Sequence, residues 1–340
     1  MAGLVAAARA RQLGADVVVL EKGDRPGGSM LLSSGLVWRY VDFDEFRGQC
    51  PEGVPVLQRL VWERLDDALA WLEHLGAPVV AGDTENPLTT GRRFDARGLT
   101  DALVRAAGEV KLGERVADDQ EGPLVLATGG FQGDPELVAR HIAPAAPLPL
   151  RANPWSTGDG LRIGLVHGGR VSAGMDEFYG RNMPARDWPP KDFVRLAQLY
   201  GRRALVLDEQ GEPFFTSEVS WSENDLVQAT AHRPGASAWY VLDEEAVDAV
   251  RPLIDLAGTA VPAAELPFPV PEDAVVGVHV RAAITHTIGG LEVDRRGRVA
   301  GAEGLWAAGV DAGGISTGGY AGGLAQALVL GLVAAEDAVQ

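Results

Sequence analysis

One cysteine, Cys50, is all that the 340 residues contain. A single thiol excludes an internal disulfide, and no cysteine and histidine positions fall at zinc-ligand spacing, so no metal is expected. Positive charge is also short. Thirty Lys and Arg stand against 47 Asp and Glu, a formal net charge of −17. Binding to nucleic acid or to an anionic membrane surface needs clustered cations, and this balance argues against both. The longest apolar stretch, 324–335, is interrupted by Gln326 and is too short for membrane insertion. The start lacks the basic segment, apolar core and cleavage site of a signal peptide, so a cytoplasmic protein is the expectation. No internal repeat is present.

Glycine is abundant, with 43 residues gathered in short runs between apolar segments. Such runs read as tight turns and close backbone approaches. Leu4, Val5, Ala8 and Leu13 fall near helical spacing, and Gly14 stands where a helix C-cap is expected. Residues 17–20 read as a short strand buried on both faces, ending at Glu21. The loop Pro26-Gly27-Gly28-Ser29 follows. Helical periodicity returns over 56–75 and 99–107. Residues 124–127 read as a second buried strand and 305–308 as a third, with a closing helix over 323–339. Between about 171 and 283 the chain holds three of its eight tryptophans, many of its prolines and short alternating strands such as 204–207 and 239–242. That segment reads as an inserted domain.

A helix, a strand and an acidic residue at the strand end are the parts of a dinucleotide-binding unit. Here Ala2-Gly3 would be the tail of the glycine fingerprint and Glu21 the ribose ligand. A surface glutamate at a strand end is the plainer reading of Glu21 alone. The Gly27-Gly28-Ser29 loop that follows favours ligand binding.

Residues 17–22 with the loop 26–29 resemble the FAD-binding flavoproteins of the fumarate reductase and succinate dehydrogenase type, which include the 3-ketosteroid dehydrogenases. Four further stretches agree in order: Leu126-Ala127-Thr128-Gly129-Gly130-Phe131, Ser156-Thr157-Gly158-Asp159-Gly160, His286-Thr287-Ile288-Gly289-Gly290-Leu291, and 305–314 followed by 320–328. The resemblance covers nearly the whole chain. It implies an α/β fold, a Rossmann-like FAD-binding domain with an inserted α+β cap. The FAD domain would comprise 1–170 and a C-terminal return over 284–340, and the cap 171–283.

The resemblance also implies roles. Glu21 would bind the adenosine ribose, with Lys22 beside it. Gly27, Gly28, Ser29, Ser34 and Gly35 would let backbone amides approach the pyrophosphate and the flavin ring. Ala127, Thr128 and Gly129 would line the adenosine end, with Asp159 also at the cofactor. Asp311 stands where the family usually has Glu, near the ribityl chain. The helix opening with Gly323, Leu324 and Ala325 would aim its positive end at flavin N1 and the C2 carbonyl. No His, Cys or Tyr lies between Gly27 and Gly35, so the FAD is expected to be noncovalent.

Two departures from the family pattern stand out. The pattern begins with a strand and Gly-x-Gly ahead of the residues seen here as Met1-Ala2-Gly3. A start placed too far downstream is the simplest reading, and a truncated chain that does not bind FAD is its rival. The family's substrate-binding arginines are also replaced. Tyr320 occupies one such position, and 211–228 contains no arginine. A dicarboxylate is therefore not expected, and Tyr320 resembles the ketosteroid dehydrogenase arrangement, in which a tyrosine assists enolisation of a ketone. His286 falls where the family places a substrate-binding histidine. Tyr179 is a candidate second phenol, with aromatic packing as its plainer reading. Arg181 and Arg203 could supply a positive charge, though a solvated surface arginine is the plainer reading.

The expected activity is hydride transfer between flavin N5 and a carbon next to a carbonyl of a small substrate, by α,β-dehydrogenation or alkene reduction. The physiological electron donor or acceptor is left open. A degenerate scaffold without activity and an NAD-dependent Rossmann dehydrogenase stay open as alternatives.

Overall fold

The computed structural model describes residues 1–120 and 122–340. The chain divides into two compact units. The first comprises Met1–Asp134, Asn153–Glu177 and His286–Gln340, and the second Pro135–Ala152 and Phe178–Thr285. Residues 135–152, assigned from sequence to the FAD domain, cluster with the second unit. Their backbone is tied there, Ala145 N to Ala231 O at 2.8 Å and Ile284 N to Pro149 O at 3.0 Å.

The first unit opens with helix Ala2–Gln12. Gly14, at φ +91°, completes its end in the left-handed region that glycine adopts without strain. Strand Val19–Glu21 pairs in parallel with Val110–Leu112, and Leu124–Leu126 in parallel with Leu305–Ala307. These are two separate two-stranded ladders. The first strand is consequently not buried on both faces as expected: Val18 and Leu20 are each 41% exposed. A third sheet is antiparallel, with Thr89–Phe94 between Leu36–Tyr40 and Val79–Ala81.

Helix Gly323–Ala338 is deeply buried, with residues 325–335 all buried. An apolar helix of this kind reads as a core helix because it has no polar face to turn toward water. It packs on Ala2–Gln12 and Pro55–His74. The contact with the first helix is made by small residues. A Cβ on Gly331 would lie 2.8 Å from Ala2 O and 3.0 Å from Val5 Cγ1. Helices Phe43–Gln49 and Ala96–Ala107 are capped by Asp42 and Asp95, whose carboxylates accept the first-turn N–H groups of Asp44 (2.6 Å) and Gly98 (2.6 Å).

The second unit is a five-stranded sheet. Ala260–Pro262, Ala274–Thr287, Ser237–Asp243 and Leu205–Leu207 follow one another in antiparallel order, and Phe178–Pro184 also pairs with Ala274–Thr287. Its core gathers Leu226 from helix Asn224–Ala231, Val247, Val250 and Ile254 from helix Glu244–Ala257, and Ala238, Tyr240, Leu242, Val278 and Val280 from the sheet.

Candidate functional site

At the carboxyl end of strand Val19–Glu21, Glu21 Oε1 accepts the N–H of Gly23 at 2.7 Å. Lys22 turns elsewhere. Its ammonium donates to Thr157 Oγ1 at 2.6 Å and pairs with Asp159. Asp159 is 6% exposed and collects two more cations, Arg115 Nη2 at 2.9 Å and Arg162 Nη2 at 2.6 Å. Burial opposes its ionised form. The hydrogen bonds from Arg162 and Lys22 and the charges of Lys22 and Arg115 outweigh that, holding the carboxyl at about 2. Arg162 also reaches Asp118 at 2.6 Å.

The glycine loop is backbone-directed. Gly27 and Gly28 have φ of +104° and +54°, and a Cβ on Gly27 would fall 2.9 Å from Thr100 Cγ2. Ser29 Oγ accepts from Asn153 Nδ2 at 2.7 Å, and Asn153 Nδ2 also donates to Ser156 Oγ at 3.1 Å. Ser34 is exposed and Gly35 is buried, where a Cβ would be 2.0 Å from Phe94 O. Ala2 is buried, and a Cβ on Gly3 would be 3.3 Å from Ala127 Cβ. The first helix therefore begins beside the turn at Ala127, Thr128 and Gly129.

Asp311, 2% exposed, organises that turn. Its carboxylate accepts from Thr128 N, from Thr128 Oγ1 at 3.0 Å and from Gly130 N at 3.0 Å. Burial pushes its pKa up, and the N–H donors of 128–130 counter part of that push. Gly160 N donates to Thr128 Oγ1 at 2.9 Å, and a Cβ on Gly160 would meet Asp311 Oδ2 at 2.5 Å. Asp311 thus holds the backbone of the 128–130 turn, a contact that sequence spacing does not reveal.

A third group forms around the start of helix Gly323–Ala338. The rings of His286 and Tyr320 lie 6.0 Å apart, and Tyr320 meets Trp38 edge-on at 5.9 Å. Tyr40 Oη donates to Tyr320 O at 2.9 Å. His286 Nδ1 lies 3.0 Å from Thr287 O. A carbonyl only accepts, so Nδ1 carries the proton in this contact; in the neutral ring Nε2 then holds the lone pair. Nε2 lies 3.1 Å from where a Cβ on Gly323 would sit. Leu324 is half-buried and Ala325 buried in the first turn. Behind this turn, buried Gln326 donates to Gly309 O at 2.8 Å and Ala312 O at 3.0 Å.

The first unit therefore brings His286 and Tyr320 together and adds Trp38 and Tyr40, two residues that sequence reasoning missed. Their strand, Leu36–Tyr40, follows the glycine loop directly, and that adjacency was the available signal. Tyr179 lies in the second unit, on strand Phe178–Pro184, as does Arg181. Arg181 is not a solvated surface residue. It is 8% exposed, 3.6 Å from Glu223 and over the ring of Tyr200.

The glycine-lined turns suit a dinucleotide. Gly27, Gly28, Gly35, Gly129 and Gly130 adopt positive φ, which glycine accepts without strain, and an acidic residue closes strand Val19–Glu21. Among the described residues no group of His, Cys, Asp or Glu is arranged to hold a metal ion. None of the described helices is long and apolar enough to cross a membrane.

A family described as FAD binding domain matches residues 113–324, and one described as NAD(P)-binding Rossmann-like domain matches residues 1–33. The probable fumarate reductase Ifc3 of Shewanella frigidimarina is 22% identical, over all of this chain and 73% of the relative. A flavocytochrome c3 fumarate reductase in its open conformation superposes with a TM-score of 0.76 at 19% identity, covering 99% of this chain and 76% of the other. The 3-ketosteroid-Δ4-(5α)-dehydrogenase of Rhodococcus jostii RHA1, solved with 4-androstene-3,17-dione, superposes with a TM-score of 0.75 at 17% identity, covering 100% and 95%. The mixed α/β fold is the one these flavoproteins share.

Proposed function

The chain belongs to the family of FAD-binding domains and is an FAD-dependent oxidoreductase of that family, and we propose that it transfers hydride to or from a carbon adjacent to a carbonyl in a small, non-dicarboxylate substrate. The observation that carries this reading is the pairing of Tyr320 with His286 at the start of helix Gly323–Ala338, 6.0 Å between rings. The resemblance to fumarate reductases and to ketosteroid dehydrogenases supports a reaction at a carbon–carbon bond.

Glu21 would hold the adenosine ribose, the amides of Gly27–Ser29 the pyrophosphate, and the first turn at Gly323, Leu324 and Ala325 the flavin. Bound FAD supplies the two-electron chemistry, noncovalently. The chain's own residues manage binding and protons. The Tyr320 phenol would donate a hydrogen bond to a substrate carbonyl oxygen, and so stabilise the enolate that forms when the neighbouring C–H proton leaves. With Nδ1 donating to Thr287 O, a neutral His286 would accept at Nε2 and so orient a substrate hydroxyl or enol. Trp38, packed edge-on to Tyr320, supports the phenol ring.

The first test is the visible spectrum of the purified chain before and after adding FAD. Flavin bands, with FAD released on denaturation, are expected. A colourless protein that ignores FAD favours the degenerate scaffold, and binding of NAD instead favours the nicotinamide alternative. The catalytic test is Tyr320→Phe on an identified substrate. Turnover should fall by roughly a hundredfold or more with the flavin spectrum kept, the usual weight of a positioned acid–base group. Full turnover in this variant would sink the assignment.

A further inference from the structure

The segment between strand Leu305–Ala307 and helix Gly323–Ala338 carries Tyr320, and polar side chains hold it along its length. Gln58, fully buried, donates to Ile315 O and to Cys50 O, both at 2.9 Å, and Val54 N donates to Gly314 O at 2.6 Å. Arg47 in turn fastens Gln58 Oε1 and donates to Gly53 O at 2.6 Å. Tyr40 holds the carbonyl of Tyr320 itself. Between these points the chain bends at Gly318 and Gly319. Gly318 is exposed with φ +82°, and Gly319 presses so closely on the preceding turn that a Cβ would sit 1.8 Å from Gln49 O. At this bend Glu177 Oε2 accepts the N–H of Gly318 at 2.8 Å.

Glu177 is costly to keep charged. It is half-buried, and the groups that face it are Asp176 on its own segment, Glu52 from the turn before helix Pro55–His74, and the Cys50 thiol. Burial raises its pKa, the Gly318 N–H opposes that, and the charges of Asp176 and Glu52 add to the rise. For a carboxyl whose folded pKa lies above the unfolded one, stability falls as pH rises through that interval. Ionised Glu177 thus does not serve stability, and its contact is with the bend two residues before Tyr320.

We propose that Glu177 is a positioning residue: its carboxylate pins the Gly318 N–H and thereby fixes the phenol of Tyr320 against Trp38 and beside His286. The contact is a direct hydrogen bond to the backbone of the bend, so removing the acceptor frees the Gly318 amide. The consequence for catalysis rests on the reading of Tyr320 given above. The consequence for the loop does not.

The test is amide hydrogen exchange over 313–322, corrected for intrinsic rates, on the purified chain with FAD. Glu177→Ala should raise exchange at Gly318 and the amides after it by about tenfold or more, the weight of a charge-assisted hydrogen bond. It should also lower kcat more than it raises KM, with flavin content unchanged. Glu177→Gln keeps an acceptor without the charge. Its protection should lie between wild type and the alanine variant. Unchanged protection in Glu177→Ala, or protection in Glu177→Gln no better than in Glu177→Ala, would overturn the proposal. Should Tyr320→Phe keep full turnover while Glu177→Ala still loosens the bend, the catalytic reading fails and the positioning role stands.

Discussion

At the scale of single residues, the clearest energetic statement concerns Asp159. Its carboxyl is held at about 2 against an ordinary 3.8 by Arg162, Lys22 and Arg115, despite its burial. A depressed carboxyl stabilises the fold above its unfolded pKa and loses that contribution as pH falls toward the folded one. The contribution is on the order of 1–2 kcal/mol once solvent screening at the more exposed arginines is allowed for. Asp159→Asn should remove it at neutral pH and leave three cations facing a neutral amide. Denaturant midpoints measured from pH 7 down to pH 2 test this: wild type should lose more stability between pH 4 and 2 than the variant. Equal slopes would mean that the cluster is solvated surface charge. This cluster also marks where sequence reading stopped. The motif Ser156–Gly160 and the acid–lysine pair Glu21-Lys22 stood out in the sequence. That Lys22 reaches across 137 positions to Asp159 was not legible, because no local pattern encodes a partner so far along the chain.

At the scale of elements, the helices were legible and the strands less so. Periodicity over 56–75 corresponds to helix Pro55–His74, and the closing apolar stretch to helix Gly323–Ala338, because helical spacing and caps are local signals. Strand burial depends on neighbours, and a three-residue strand with one partner exposes apolar side chains that look like core in sequence. Helix crossings were also beyond reach: the importance of Gly331 arises from Ala2 and Val5 at the far end of the chain. Close-packed helices leave no space there for a side chain. Gly331→Val should therefore destabilise the first unit by about 1–3 kcal/mol, the usual cost of overpacking, plus strain if the helices separate. Thermal unfolding of the variant checks it, with Gly331→Ala expected to be milder. A valine tolerated without loss would show that the helix contact yields.

At the scale of the whole molecule, each unit has its own hydrophobic core. The second is complete within Phe178–Thr285 and Pro135–Ala152, around Tyr240 and Leu226. All proposed cofactor-binding residues belong to the first unit, although they come from three separate stretches of sequence, 1–134, 153–177 and 286–340. A ligand that binds only the native form stabilises what it binds by mass action, by about 2.7 kcal/mol at a hundredfold excess over Kd. For a unit of this size that is roughly 5–10 °C in Tm. FAD should therefore raise the transition assigned to the first unit and leave that of the second in place, provided the units unfold separately. Scanning calorimetry with and without FAD, with the second unit followed by hydrogen exchange of strand Ser237–Asp243, distinguishes the outcomes. Two transitions of which one moves would confine the cofactor's contacts to the first unit. A single transition that moves as a whole would mean that the units unfold cooperatively, so that stabilisation gained at the cofactor site is shared by the sheet carrying Tyr179 and Arg181.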